Sequence, residues 1–265
     1  MRKDIQDSAF LAHNKSSWDR QAKTQSPWSL PVSSELIQDA KNGQWEIYLT
    51  PSPLPKGWLG EVKGKKILCL ASAGGQQAPL LAALGAEVIV LDLSKEQLFH
   101  DRMVAERDQL ELITIEGDMR DLSEFEDNSF DLIFHPISNH YVPDVRPVWK
   151  ECYRVLKSGG ALLSSFFNPA IFIGDRDPAY MDKGIIYPRY KIPYSDLIDL
   201  EETLLEKKRE NNEAFVFGHS LKDLIGGQLA AGFVISDFLE DNQPNPRFLI
   251  DKYMPTFLAT KAIKQ

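Results

Sequence analysis

The chain predicts an α/β fold built on a mostly parallel sheet with helices on both faces. Three observations carry this. Strand-length apolar runs alternate with helix-length segments. Two of the runs, KKILCLAS and EVIVLD, are apolar without alternation, as strands buried on both faces are. Small or acidic residues follow the first three runs, at the strand ends where open sheets of this kind bind ligands.

Residues 1–60 read as an N-terminal helical and extended cap. They carry Trp18, Trp28, Trp45 and Trp58 without a clean period and end in TPSPLPKGW. Short helices are expected over about 8–22 and 34–41, before an extended piece and a linker. The core then runs over 61–265. After KKILCLAS, a helix gathers Leu80, Leu81 and Leu84, and Gly85 stops it. EVIVLD is the second strand, and Ser94 with Gln97 forms a capping box for the next helix. LELITIEGD alternates as a third strand, and FDLIFH is the fourth. Asp144 caps a helix with Val145, Val148, Trp149, Cys152 and Leu156 on one face. Ser158, Gly159 and Gly160 turn the chain into ALLSSFF. Ser220 opens a helix with Leu221, Leu224, Ile225 and Leu229 inward, and Gly232 ends it. FVISDFLED and PTFLATKAI are the last two strands. Residues 168–217 interrupt the alternation with Tyr, Pro and a helical piece, SDLIDLEETLLEKKRENN. They read as an inserted substrate-side cap, because long insertions at strand ends tend to carry function.

Composition narrows the function. The 265 residues are 43% hydrophobic and carry a net charge of -8, as in an ordinary soluble protein whose acidity repels a phosphate backbone. No apolar run is long enough to cross a bilayer, and the start MRKDIQDSAFLAHNK has no apolar signal-peptide stretch. Cys69 and Cys152 lie in apolar patterns and read as buried thiols in a reducing compartment. The expectation is therefore a cytoplasmic protein without a membrane or nucleic-acid partner, and no metal site is expected.

Three strand-end signals suggest an adenosine ligand. The turn Ala71-Ser72-Ala73-Gly74-Gly75 lets a ligand approach the backbone, and the helix after it favours an anion. Asp92 ends the second strand, where a carboxylate accepts both hydroxyls of a ribose. Gly117-Asp118-Met119 follows the third strand, where an acid accepts an adenine amino group.

With these residues in view, Lys65 to Phe167 resembles the core of the class I S-adenosylmethionine-dependent methyltransferases. Motif I stands at ILCLASAGG, motif II at VLDLS, motif III at EGDMRDL and motif IV at FDLIFHPISNHYVPD, followed by RVLKSGGALL. HNKSSWD, LASAGGQQAP and VWKECYRVLKSGG resemble a group of bacterial methyltransferases without an assigned acceptor. The resemblance implies a Rossmann-like, seven-stranded, mostly parallel sheet closed by a C-terminal antiparallel hairpin. It implies S-adenosylmethionine as cofactor, a small-molecule methyl acceptor, and a monomer or homodimer. The implied cofactor residues are Ala71, Ser72, Ala73, Gly74, Gly75, Asp92, Leu93, Gln97, Gly117, Asp118, Met119 and His135. Asn14 and Trp18, on one face of a helix, would close over the cofactor within Asn14-Lys15-Ser16-Ser17-Trp18-Asp19. His140, and also His135, are candidate bases, and Asn139 and Tyr141 are candidates for orienting the acceptor.

The chain departs from the family's DxGxGxG motif. Cys69 replaces the acid, Ala71 and Ala73 replace two glycines, and Gly75 remains. Alanine keeps such a turn if those positions do not need positive φ.

Three other readings compete. An NAD-dependent oxidoreductase shares Asp92, but GxGxxG is absent. An RNA, DNA or protein methyltransferase is the second; for base methylation, HPIS lacks the (D/N)PP(Y/F/W) arrangement. A non-catalytic regulator that binds S-adenosylmethionine is the third.

Overall fold

A computed structural model of the chain describes residues 7–55, 57–175 and 178–265. Residues 1–6 of the predicted cap, Lys56 of its linker, and Arg176 and Asp177 of the insertion lie outside the described residues. The strands are β1 (Lys66–Leu70), β2 (Glu87–Asp92), β3 (Leu112–Glu116), β4 (Phe130–His135), β5 (Leu156–Phe167), β6 (Tyr194–Ser195), β7 (Phe217–Gly218), β8 (Phe233–Asp241) and β9 (Phe257–Lys264). The helices are α1 (Asp7–Lys23), α2 (Ser34–Lys41), α3 (Gln77–Ala83), α4 (Lys95–Asp108), α5 (Arg146–Val155), α6 (Pro178–Asp182), α7 (Asp196–Asp199), α8 (Glu202–Glu210) and α9 (Leu221–Ala231).

Seven strands form one sheet in the order β3-β2-β1-β4-β5-β9-β8. β1 to β5 run parallel, and β9 pairs antiparallel with both β5 and β8. The predicted parallel sheet and closing hairpin are both present. Strand order reverses between β1 and β4, which places the ligand crevice at their carboxyl ends.

Alternation explains the layers. Ile67 and Cys69 of β1, with Val88 and Val90 of β2, face one apolar cluster. Leu68, Leu70, Ile89 and Leu91 face the other. The first cluster is completed by α3, α4 and the N-terminal segment through Ile37, Ile47, Leu49 and Trp58. The second is completed by α5 and α9 through Trp149, Cys152 and Leu224. Both cysteines are buried free thiols. No helix among the described residues is long and apolar enough to cross a membrane.

Several sequence expectations need correction. The capping box on α4 is half formed. Ser94 Oγ accepts from Gln97 N at 3.2 Å, but the Gln97 side chain turns away to Gly74 and Ser29. In α9, Leu221 and Leu229 are about half exposed; the inward face is Leu224 and Gln228. Its Oε1 accepts from Thr260 Oγ1 of β9 at 2.9 Å, while its Nε2 is buried without a partner. The helical piece at 195–212 is broken at Leu200, whose extended backbone separates α7 from α8. A small β6–β7 ribbon in the same insertion was not foreseen. The N-terminal cap and the insertion meet in one cluster of Phe10, Leu205, Phe215 and Phe217.

Candidate active site

The loop after β1 is shaped by the protein itself. Ala71, Ala73 and Gly75 all take positive φ, at 47°, 62° and 72°. The condition of ordinary negative φ at the alanines is not met, and each alanine there costs about 1–2 kcal/mol. Neighbours hold the loop in place. Ala71 N donates to Leu91 O, Gly74 N to Gln97 Oε1 and Gly75 N to Asp101 Oδ1, each at 2.8 Å. Gly75 O accepts from Val32 N at 2.8 Å. A Cβ on Gly74 would lie 2.1 Å from Gln97 O, so glycine is required by the backbone of α4 rather than by a ligand. Gln97 is thus a prop under the loop. Ser72 is buried, and its hydroxyl adjoins the Cys69 thiol, which burial pushes well above its usual range.

Asp101 was missed by sequence reasoning. It is fully buried, its Oδ2 has no hydrogen-bond partner, and burial holds its carboxyl well above the usual carboxylate range. Its charge is felt at Cys69. A carboxyl from α4 therefore stands near the position where the family motif carries its acid. The available signal was a polar residue one helical turn beyond Gln97, on the face that α4 turns inward.

Asp92 ends β2. Its Oδ1 accepts from Ser94 N at 2.8 Å, and burial raises its pKa to about 7, with the neighbouring Asp19 charge adding to the rise. Leu93 beside it is half-buried. Gly117 N donates to Asp92 O at 3.0 Å, which draws the third signal against the second. Asp118 is less open than its sequence position suggests. Both its oxygens accept from the Arg120 guanidinium, the closest contact being 2.7 Å, and Arg120 lies 5.3 Å from the Phe10 ring. Met119 packs at the rim of the second apolar cluster.

Helix α1 crosses the strand tips. Lys15 pairs with Glu116 at the end of β3. Asp19 Oδ1 accepts from Ser94 Oγ at 2.7 Å and from Glu96 N at 3.3 Å, at the start of α4. Asn14 is buried, with Nδ2 donating to Tyr141 O at 3.3 Å and Phe215 O at 3.1 Å and Oδ1 accepting from Phe215 N at 2.8 Å. Its amide is committed to backbone groups. Trp18 meets Tyr141 edge-on, with ring centres 5.1 Å apart. The hydroxyl of Ser17, on the same helix, is buried without a partner.

The segment after β4 is tied down by two side chains. His135 is fully buried, and its Nδ1 lies 2.8 Å from Leu70 O. Burial lowers its pKa to about 4, so the ring is neutral near pH 7. A proton on Nδ1 donated to Leu70 O leaves Nε2, which has no partner, as a buried acceptor. Asn139 Nδ2 donates to Ser165 O at 2.9 Å, and His219 Nε2 lies 3.0 Å from Asn139 O. His219, which the sequence reading did not single out, is kept on the neutral side by burial. The His140 ring lies between Tyr141 at 3.9 Å and Phe167 at 5.0 Å, and burial raises the Tyr141 phenol well above its usual range.

The predicted residues thus converge on one edge of the sheet, with His140 and Tyr141 at the β4 end and Asp92 and Asp118 at the β2 and β3 ends. Comparison with known proteins bears on the family. Residues 68–164 match the family described as a methyltransferase domain. The chain is 48% identical over 258 residues to the uncharacterized methyltransferase YbaJ of Bacillus subtilis (strain 168), covering 97% of this chain and 99% of that protein. Its fold is similar to an S-adenosylmethionine dependent methyltransferase from Mesorhizobium loti, with a TM-score of 0.59 and 21% identity over 79% of this chain and 95% of that one. A SAM-dependent methyltransferase from Methanosarcina mazei gives a TM-score of 0.59 at 20% identity, covering 80% of this chain and 98% of that one. Strand order and relatives agree: the chain belongs to the class I S-adenosylmethionine-dependent methyltransferases.

Proposed function

We propose that this enzyme methylates an oxygen, nitrogen or other nucleophile of a small molecule, with its cofactor lying across the tips of β1, β2 and β3 beneath α1. The observation that carries the reading is Asp92. Its carboxyl at the tip of β2 accepts from the Ser94 amide, yet burial still raises it to about 7, so further donors would stabilise its charge. A ribose diol supplies two such donors. The unpartnered Ser17 Oγ and His135 Nε2 are further buried polar atoms at the same edge, so the residues present fit an adenosyl ligand. Asp92 holds the ribose, Gly117 and Met119 flank the adenine, and the 71–75 loop faces the methionine end. Asp118 would share its oxygens between Arg120 and the adenine amino group.

When bound, S-adenosylmethionine supplies an electrophilic sulfonium methyl. The protein aligns the acceptor in line with it, an effect worth about 7–11 kcal/mol. α1 closes the crevice to water through its ties at Asn14, Lys15 and Asp19. His140 takes the acceptor's proton where the attacking atom starts protonated. His135, neutral and buried, orients rather than exchanges protons. A helix tied across the crevice, together with a net charge of -8, favours a small acceptor over a nucleic acid.

The test is methyl transfer from labelled cofactor into host extract separated by ultrafiltration. Label is expected in the small-molecule fraction; label only in protein or RNA would refute the reading. His140→Ala is expected to lower turnover about a hundredfold while leaving cofactor affinity within about twofold. Unchanged turnover would remove His140 as the base.

A further inference from the structure

The inner face of α4 carries a charge that holding the turn after β1 does not require. Gln97, Leu98, Asp101, Val104, Ala105 and Asp108 form the buried stripe of this helix. Leu98 and Val104 pack in the same apolar cluster as Cys69 of β1. Asp101 lies between them, three residues from each, so its carboxyl enters the sheet face from which Cys69 projects. Asp101 is 0% exposed.

Its two oxygens are used differently. Oδ1 accepts from Gly75 N at 2.8 Å, and Oδ2 has no hydrogen-bond partner. The neighbouring amide shows what holding the turn alone takes. Gly74 N donates to Gln97 Oε1 at 2.8 Å, and Gln97 Nε2 donates to Ser29 Oγ at 2.6 Å. A neutral side chain with both polar atoms satisfied does that work. An acid at 101 with a spare buried oxygen is costly unless its charge meets a partner. The charges around it do not supply one. Arg102, the next residue on α4, draws the carboxyl down, but its guanidinium donates to Thr114 Oγ1 of β3 at 2.9 Å. Asp92 at the tip of β2 is a like charge that pushes the Asp101 carboxyl up, and Asp19 of α1 does the same to Asp92.

We infer that Asp101 is a positioning residue for the methionine end of the cofactor, supplying from α4, behind the Gly75 amide, the negative charge that the family motif places at position 69 of β1. The inference rests on the proposed cofactor placement and deepens it. S-adenosylmethionine carries a sulfonium and an ammonium against one carboxylate, so its methionine end is cationic. A carboxylate behind the turn attracts that end through surroundings of low polarity, where attraction is strong. The thiol at 69 follows from the same arrangement. An acid there would meet Asp101 on one buried face, and two like charges in such a place are not both ionised at neutral pH. Cys69 fills the space instead, and burial with the Asp101 charge keeps it protonated.

The test exchanges the two positions. Calorimetric titration with S-adenosylmethionine at pH 8 compares the wild type, Asp101→Asn and the double variant Cys69→Asp/Asp101→Asn. Asp101→Asn keeps an oxygen for Gly75 N and is expected to bind at least about tenfold more weakly. In the double variant the charge returns from β1, and affinity is expected to recover to within about threefold of the wild type. Thermal melting without cofactor gives a second reading. Cys69→Asp is expected to lower the melting temperature more in the wild type than in Asp101→Asn, because only the former puts two carboxyls on one face. Unchanged affinity in Asp101→Asn, no recovery in the double variant, or an equal thermal effect of Cys69→Asp in both backgrounds overturns the inference. If Asp101→Asn fails to fold, the rescue is read in folding: the double variant is expected to melt cooperatively, and its failure to do so overturns the inference. Titration of the wild type separates the two levels. No binding there sinks the cofactor placement itself; binding that the exchange leaves untouched sinks only the role of Asp101.

Discussion

The turn after β1 and the segment after β4 border the same crevice, yet they are built in opposite ways. The first is a backbone structure. Its amides at Gly74 and Gly75 are held by Gln97 and Asp101 from α4, and three of its five residues take positive φ. The second is held by side chains. His135 reaches Leu70 O and Asn139 reaches Ser165 O, while the buried His140 ring packs between Tyr141 and Phe167. A loop whose shape lies in its backbone permits only small residues, and suits an invariant ligand such as a cofactor. A segment fixed by two tethers leaves its intervening side chains free to vary, and suits the part of the site that selects an acceptor.

That contrast is breakable. Gly74→Ala places a methyl group 2.1 Å from Gln97 O and is expected to cost about 3 kcal/mol of stability, with cofactor affinity lowered at least tenfold. Denaturant unfolding and cofactor titration check both. A neutral effect would mean that the loop is softer than its contacts imply. Asn14→Ala removes three buried hydrogen bonds between α1 and the rest of the site, and is expected to cost about 2 kcal/mol. Bound S-adenosylhomocysteine should also dissociate faster in stopped-flow measurements; an unchanged rate would count against α1 as a cover.

The pH dependence follows from Asp92. Its carboxyl titrates at about 7 when folded against 3.8 ordinarily, so the folded chain keeps a proton that the unfolded chain has shed. Its contribution to the stability of the free protein therefore falls as pH rises from about 4 to about 7. Ribose hydroxyls need the ionised form, so cofactor affinity is expected to rise about tenfold from pH 6 to pH 8. A flat affinity profile would contradict this. The smallest effect is expected at the strained alanines. Ala71→Gly and Ala73→Gly each relieve positive φ and are expected to stabilise the protein by about 1 kcal/mol or less, because glycine also gains freedom when unfolded. Destabilisation in thermal melts would show that the methyl groups are packed.

The seven strands of the main sheet were legible because their apolar runs are short and bounded by turn residues, and the helix starts at Ser94 and Ser220 were legible from their caps. Less legible was every feature that depends on a partner distant in sequence. Gln228 faces inward to meet Thr260, and the break at Leu200 has no local breaker to announce it. In the site, Asp92 and Gly117 lie at the strand tips where their spacing put them. Asp101 and His219 were hidden, since their roles arise where α4 and the 217–219 turn meet the sheet edge. Gln97 and Asn14, expected to reach a cofactor, have side chains committed to neighbouring protein groups.

Calorimetric titration of S-adenosylhomocysteine into the wild-type protein and Asp92→Asn at pH 8 bears most directly on the placement of the cofactor. The amide keeps an oxygen for Ser94 N but loses the charge that the ribose hydroxyls stabilise. Binding to the wild type with at least tenfold weaker binding to Asp92→Asn, and closely similar melting temperatures for the free proteins, is the predicted result. Equal affinities would contradict a cofactor held at the tip of β2.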